Sequence, residues 1–309
     1  MWLVSVCALM VIVQSAITDS FGSLLLAAVS VIAAVLIEFL FLYKDEKTYM
    51  LKDGSVVASA LIFTMLLPNE IAPIYAILGI IFAIAVIKHC FGGLGSNWLN
   101  PAAGGWLFVR LSWPGVFNRA LEGSVIGSSG YVDFLSGNPA ETNAGYFLNN
   151  SVFSFLGTEL PSSYQDLFAL SGPGIIADRG IIMLLAGTIL ITAVNTGRTW
   201  IPAVWLAVFV LLTRFAGSFA GAGPWSSDVL FALFSGGTLA SAFILAADPA
   251  TGAKPQWLTI IFAAAGGFLA WLFRFPGYEP YGAIISVLVI NALLPIARNI
   301  EIYWKEKNK

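Results

Sequence analysis

FGGLGSNWLNPAAGG (Phe91–Gly105) and FSGGTLASAFILAADPATGA (Phe234–Ala253) decide how this chain is read. Each sets a glycine pair ahead of an Asn-Pro-Ala or Asp-Pro-Ala step. Gly92-Gly93 leads to Asn100-Pro101-Ala102, and Gly236-Gly237 leads to Asp248-Pro249-Ala250. Glycine lets backbones approach closely, and proline withholds an amide donor. In apolar surroundings such residues break a helix. The break exposes helix termini and free carbonyls, which can bind ions or polar groups at depth. The plainer account is that glycine pairs pack helices and Asn-Pro or Asp-Pro caps a helix start. One motif alone favours the plainer account, and recurrence in both halves weighs evenly for a central pathway.

The sequence around the motifs is apolar. Of 309 residues, 58% are hydrophobic and 10% are charged, against roughly 25% charged in a soluble domain. Mean hydropathy is +0.86. A soluble globule of this size could not cover its surface, so the chain reads as an all-α integral membrane protein. A net charge of −2 gives no basic field for nucleic acid. Cys7 and Cys90 are too few for a thiolate metal site, and His89 is the single histidine. The N-terminal MWLVSVCALMVIVQSAIT lacks a positive n-region and an A-x-A site, so it reads as a retained helix.

A spanning helix needs about 20 apolar residues. Ten candidates stand near 1–18, 22–43, 55–67, 71–90, 98–112, 180–196, 200–216, 229–247, 257–273 and 281–297. Two of them, 55–67 and 98–112, are too short to span unaided, and such segments survive only where protein or water satisfies the freed backbone. With a cytoplasmic N-terminus, all eight lysines fall on one side, so both termini read as cytoplasmic. Five candidate spans precede the long polar stretch 113–179 and five follow it. An odd number per half makes the halves an inverted repeat. The expected organisation is a first five-helix repeat over 1–112, an extracytoplasmic loop over 113–179, a second repeat over 180–297 and a cytoplasmic tail over 298–309.

The stretch Lys52–Pro114, KDGSVVASALIFTMLLPNEIAPIYAILGIIFAIAVIKHCFGGLGSNWLNPAAGGWLFVRLSWP, resembles the D subunit of the Rnf electron-transport complex. It is similar also to the B subunit of the sodium-pumping NADH:quinone reductase. Phe234–Gly252 resembles the family's second signature, and GYEPYGAIISVLVINALLPIAR (Gly277–Arg298) resembles its last helix. The resemblance implies a ten-helix inner-membrane subunit built from two inverted five-helix repeats with short or broken helices. It implies a complex that passes electrons between ferredoxin or NADH and an acceptor, coupled to Na+ or H+ movement. Other subunits of that complex would be its partners. The family's FMN is joined to a threonine by a phosphoester bond on the extracytoplasmic side, placed there by a flavinyl transferase.

The family's attachment motif is approximately Asp-x-x-Ser/Thr-x-Ala-Thr. Here Asp133, Ser136 and Gly137 fit it, but Asn138 and Pro139 hold the alanine and acceptor positions. Proline has no hydroxyl for a phosphoester. The nearest downstream hydroxyl, Thr142, becomes the candidate acceptor, three residues displaced, and loss of the covalent flavin is the other outcome. Asn97, Asn100 and Asp248 are candidate contacts for a bound flavin, FMN or riboflavin, or for Na+ through oxygen. Their plainer role is capping.

Four further positions are expectations. Glu38 lies within the second span, where acids are functional by default. Otherwise it is an interfacial acid paired with Lys44 or Lys47, since Lys44 is about 9 Å along a helix. Lys88 and His89 are read as cytoplasmic anchors. Arg110 suits a flavin phosphate or snorkels to the interface, and the tryptophans are read as an interfacial belt. The chain has no P-loop, no dinucleotide-binding glycine motif in a strand–helix context and no Cys-x-x-Cys, so partner subunits must oxidise NADH and hold iron–sulfur clusters. The reading is a subunit of an ion-translocating oxidoreductase, not catalytic alone. The alternatives are a channel or solute transporter, or a flavin-free structural subunit.

Overall fold

The computed structural model describes residues 1–18, 21–44, 48–90, 93, 97, 99–121, 174–194, 199–216, 229–248, 256–277, 279–293, 295, 296 and 299. Those residues are helical, with no strand among them beyond one isolated bridge, Pro68 to Ile175. The helices are α1 (Trp2–Thr18), α2 (Gly22–Lys44), α3 (Ser55–Met65), α4 (Pro73–Ile81), α5 (Pro101–Ser112) and α6 (Pro114–Leu121), then α7 (Ile176–Arg179), α8 (Ile181–Val194), α9 (Trp200–Ala216), α10 (Val229–Phe234), α11 (Thr238–Ala240), α12 (Gln256–Arg274) and α13 (Gly282–Ala292). α4 continues as a π-helix over Phe82–His89, and α11 as one over Ser241–Leu245.

Two helices, over Gly22–Tyr43 and Trp257–Arg274, are long and apolar enough to cross a membrane. At 1.5 Å per residue the 23-residue α2 is roughly 34 Å long, just past the ~30 Å hydrocarbon core. The 11-residue α3 reaches roughly half that depth. Pro68 follows its last turn and Pro73 opens α4, so the chain turns back through residues 66–72.

α1 packs on α8, α2 on α3 and α4, and α12 on α9 and α13. One core joins Ile12, Phe63, Ile80, Trp106, Leu239 and Ile284, so it runs through both halves of the sequence. A second joins Trp205, Phe209, Ala263 and Trp271. Trp106 and Trp205 are fully buried, so these two are core residues and not part of an interfacial belt. The glycines of Asn-Pro-Ala-Ala-Gly-Gly pack as the plainer account holds. A Cβ on Gly105 would come within 2.8 Å of both the Ala83 side chain and the Gly79 carbonyl.

Hydropathy alone runs one span over 229–247, but the structure breaks it. Ser235, Gly236 and Gly237 separate α10 from α11, and both glycines have positive φ, 65° and 69°. Two consecutive left-handed residues end a right-handed helix, and only glycine adopts them without strain. The two quoted motifs also differ locally. In the first, glycine follows a helix end and Asn100 caps the next start. In the second, the glycine pair itself opens a helix and Asp248 lies past its end.

Candidate functional site

A cavity of about 330 Å³ lies among α1, α3, the α4 π-helix, the α5 start, α8, α9 and the α11 π-helix. Its wall is mostly apolar, with polar groups from Ser59, Lys88, Asn97, Asn100 and Asp248. Proline at the first turn of α5 needs no amide partner, and Asn100 ahead of it is an N-cap. Its Oδ1 accepts from the Ala102 and Ala103 amides at 3.0 and 3.2 Å. Its Nδ2 donates to Asp248 Oδ2 at 3.0 Å, across 148 residues of sequence. The residues before the two prolines of the motifs therefore meet at the cavity wall. Asn97 is 4% exposed, and its Oδ1 has no hydrogen-bond partner among the described residues.

Beside the cavity a second polar cluster closes on Glu38. Lys88 Nζ donates to Glu38 Oε1 at 2.8 Å and to Ser55 Oγ at 2.9 Å. His89 Nε2 lies 2.8 Å from Glu38 Oε2, and its ring stacks on Phe41 at 4.5 Å. Lys88 is 2% exposed and Glu38 5%. This overturns one expectation: Lys88 is buried against Glu38 rather than anchored at an interface. Glu38 pairs with Lys88 and His89, while the side chains of Lys44 and Lys47 lie outside the described residues. The π-helix accounts for the difference. Its wider turn changes which residues share a face, so Lys88 is rotated inward relative to an α-helical reading.

Away from the cavity, the α10–α11 break is held from outside itself. Asp178 Oδ2 accepts from the Gly236 amide and Oδ1 from the Gly237 amide, each at 2.9 Å. Arg274, at the end of α12, reaches the Ala232 and Ser235 carbonyls at 2.8 Å and Thr238 Oγ1 at 2.7 Å, and also the Ser235 hydroxyl. A carboxylate thus covers the free amides and a guanidinium the free carbonyls that a broken helix leaves. Sequence reading singles out neither residue. Arg110 pairs with Glu279 at 3.3 Å and lies 5.4 Å from the Phe117 ring centroid, so its guanidinium serves a contact between α5 and the approach to α13.

Of the six candidate cofactor-binding residues, Asn97, Asn100 and Asp248 gather at one cavity. Asp133, Ser136 and Thr142 lie outside the described residues, as does Pro139. No cluster of metal-ligating side chains occurs among the described residues. The cavity fits the ring part of a flavin: about 330 Å³ is near the lower end of the ~300–1,000 Å³ of small-molecule sites. Its apolar wall suits a ring face, and Asn97 offers an open polar atom.

Two helices long and apolar enough to cross a membrane, short broken ones, and ionisable groups buried beside a cavity are the features of a helical membrane protein. Its relatives narrow that class. The chain belongs to the NQR2, RnfD, RnfE family, whose profile matches residues 1–308. It is 30% identical over 269 residues to the D subunit of the proton-translocating ferredoxin:NAD(+) oxidoreductase complex of Clostridium ljungdahlii, covering 86% of this chain and 78% of that one. It is 27% identical over 286 residues to the D subunit of the Na(+)-translocating counterpart in Acetobacterium woodii, covering 92% and 82%. With the D subunit of the ion-translocating oxidoreductase complex of Alcanivorax borkumensis it shares 31% identity over 301 residues, covering 89% and 82%.

Proposed function

We propose that this chain is the D-type membrane subunit of an Rnf-type complex, coupling electron transfer between ferredoxin and NAD to Na+ or H+ translocation through a flavin. The observation that carries the reading is the family match over residues 1–308, joined to a cavity at whose wall the two motif residues Asn100 and Asp248 meet. The relatives' names divide between proton and sodium, so either ion is compatible with the proposed role.

The proposed architecture is ten helices in two antiparallel five-helix repeats, over 1–112 and 180–297, with 113–179 between them and 298–309 as a tail. Its support is a shared plan. α3 opens on Gly54 (φ 72°) and α11 on Gly237 (φ 69°), each a glycine with no side chain to cap its helix. In each case a basic residue ending a long helix reaches the hydroxyl that opens the short one: Lys88 to Ser55, Arg274 to Thr238. α3 faces the cavity with its N-terminal turns and α11 with its C-terminal continuation. The subunit is proposed to lie in the inner membrane with both termini cytoplasmic and 113–179 outside. Its partners are other subunits of the complex, the bilayer and, where flavinylated, a flavinyl transferase.

A bound flavin supplies the electron-accepting chemistry. Asn97 is the residue with an open acceptor for its polar edge, while Asn100 and Asp248 hold that wall in place. Thr142 is the candidate for phosphoester-linked FMN, with Asp133 and Ser136 as the motif around it. Ultraviolet fluorescence of the denatured band, after co-expression with the transferase, tests the covalent arm. Fluorescence that disappears in Thr142→Ala is expected, and a dark wild-type band ends that arm. Co-purification with redox subunits tests membership of the complex, and a chain that purifies alone from its native membrane defeats it.

A further inference from the structure

The segment that leads from 113–173 into α8 touches both short helices at once. The Ile176 amide donates to the Leu67 carbonyl at 2.9 Å, just past the end of α3, and Pro68 and Ile175 form a bridge. Two residues on, Asp178 takes both amides that open α11. The other ends of these helices line the cavity through Ser55, Ala58 and Ser59 of α3 and through Phe243, Ile244 and Asp248 at or beyond α11. Ile175, Ile176 and Asp178 are all buried. The glycine pair matters here. The amides of Gly236 and Gly237 both point at the Asp178 carboxylate, one to each oxygen. A Cβ on Gly237 would also fall 2.9 Å from Ile175 Cδ1 of the same segment.

We propose that residues 175–178 are a brace and that Asp178 is a positioning residue. The brace fixes the far ends of α3 and α11 to each other, and through two rigid helices it sets the spacing of the walls at their cavity ends. The brace acts in the same way whichever ion or cofactor the protein handles.

Two substitutions separate the ties. Asp178→Asn keeps the shape but turns an amide NH₂ toward one of two amide donors. Ile176→Pro breaks the tie to Leu67, removing the amide donor together with the buried isoleucine side chain and setting a ring carbon where the amide hydrogen pointed. Residue 176 opens a short helix after an extended Ile175 (φ −86°, ψ 160°), a place proline accepts. The reporter is the dipolar distance between nitroxides at Ser59→Cys and Phe243→Cys, in full-length protein with Cys7→Ala and Cys90→Ser. Both variants are expected to shift that distance by about 1–2 Å, the scale of helix displacement at packed interfaces, with unchanged helix content by circular dichroism. Thr188→Ala, a buried hydroxyl lost elsewhere on α8, should leave it in place. A folded Asp178→Asn with the wild-type distance overturns the brace, and if that variant does not fold, Ile176→Pro decides by the same criterion. A shift with Asp178→Asn alone also overturns it, since Asp178 would then be a cap on α11 and no link to α3.

Discussion

The starts of α3 and α11 solve one problem with different materials. Each is a helix opened in apolar surroundings whose free amides need acceptors. At α3 the cap is local: the Ser55 amide donates to Asp53 Oδ1 at 2.7 Å, and Lys88 reaches the Ser55 hydroxyl while holding Glu38. At α11 the cap is remote, with Asp178 on the amides and Arg274 on the carbonyls and hydroxyls. The first assembly is made of a lysine, a glutamate and a histidine bonded mainly to one another. Lys88 also stands on the cavity wall. The second is bonded mainly to backbone, and arginine keeps its charge in any surroundings. One end is tied side chain to side chain beside the cavity; the other is a joint tied mainly to backbone.

If that contrast holds, the joint should be costlier to break. Arg274→Met removes all of the guanidinium's bonds to the break and leaves buried Asp178 without the nearby positive charge, so a loss of about 2–4 kcal/mol is expected. Arg274→Lys should recover little of it, because an ammonium cannot present the guanidinium fork. Thermal unfolding in detergent reads both, and full recovery by lysine would show the joint to be a simple charge site. Lys88→Met should cost less, about 1.5–3 kcal/mol, the range for a hydrogen bond to a charged group, because Glu38 keeps His89. Adding Glu38→Gln should then cost little more, since the two share one bond. Additive losses would separate Glu38 from Lys88. The glycines sharpen the contrast further. Gly54→Ala should cost about 1–2 kcal/mol for a left-handed alanine, because the Trp2 ring it meets is exposed and can swing away. Gly237→Ala meets buried Ile175 and Ile284 and should cost more. Equal melting-temperature losses would dissolve the distinction.

Much of this is legible in the sequence, and the illegible part has a common cause. Apolar runs locate the helices, and the short helices near 55–67 and 98–112 stand as α3 and α5. Asn100 as a helix cap follows from Asn-Pro chemistry alone. Its contact with Asp248 does not, because 148 residues separate them and only the packing of the halves joins them. Lys88 escapes the pattern because a π-helix rotates its face relative to a 3.6-residue period. Asp178 and Arg274 escape it because each sits at the edge of an apolar run, where a charge looks interfacial. The break they hold is averaged away in a hydropathy window containing Gly236 and Gly237.

The smallest expected change in stability is also the most direct test of the cavity. Asn97 is buried beside Asn100 but, unlike it, has an oxygen without a partner among the described residues. A buried carbonyl that makes no bond contributes nothing to folding and carries a desolvation cost. Asn97→Leu, close to it in shape, should therefore leave the melting temperature unchanged or raise it, within about 0.5 kcal/mol. Asn100→Leu loses both the cap and the Asp248 contact and should cost about 1–2 kcal/mol. A flavin that uses the Asn97 oxygen reverses that order in a second measurement. The acid-released flavin per chain should fall in Asn97→Leu although the protein is no less stable. Retention at the wild-type ratio would remove Asn97 from the site and shift attention to the other polar groups of the wall, Ser59, Lys88 and Asp248, since the Asn100 oxygen already serves two amides and its nitrogen serves Asp248.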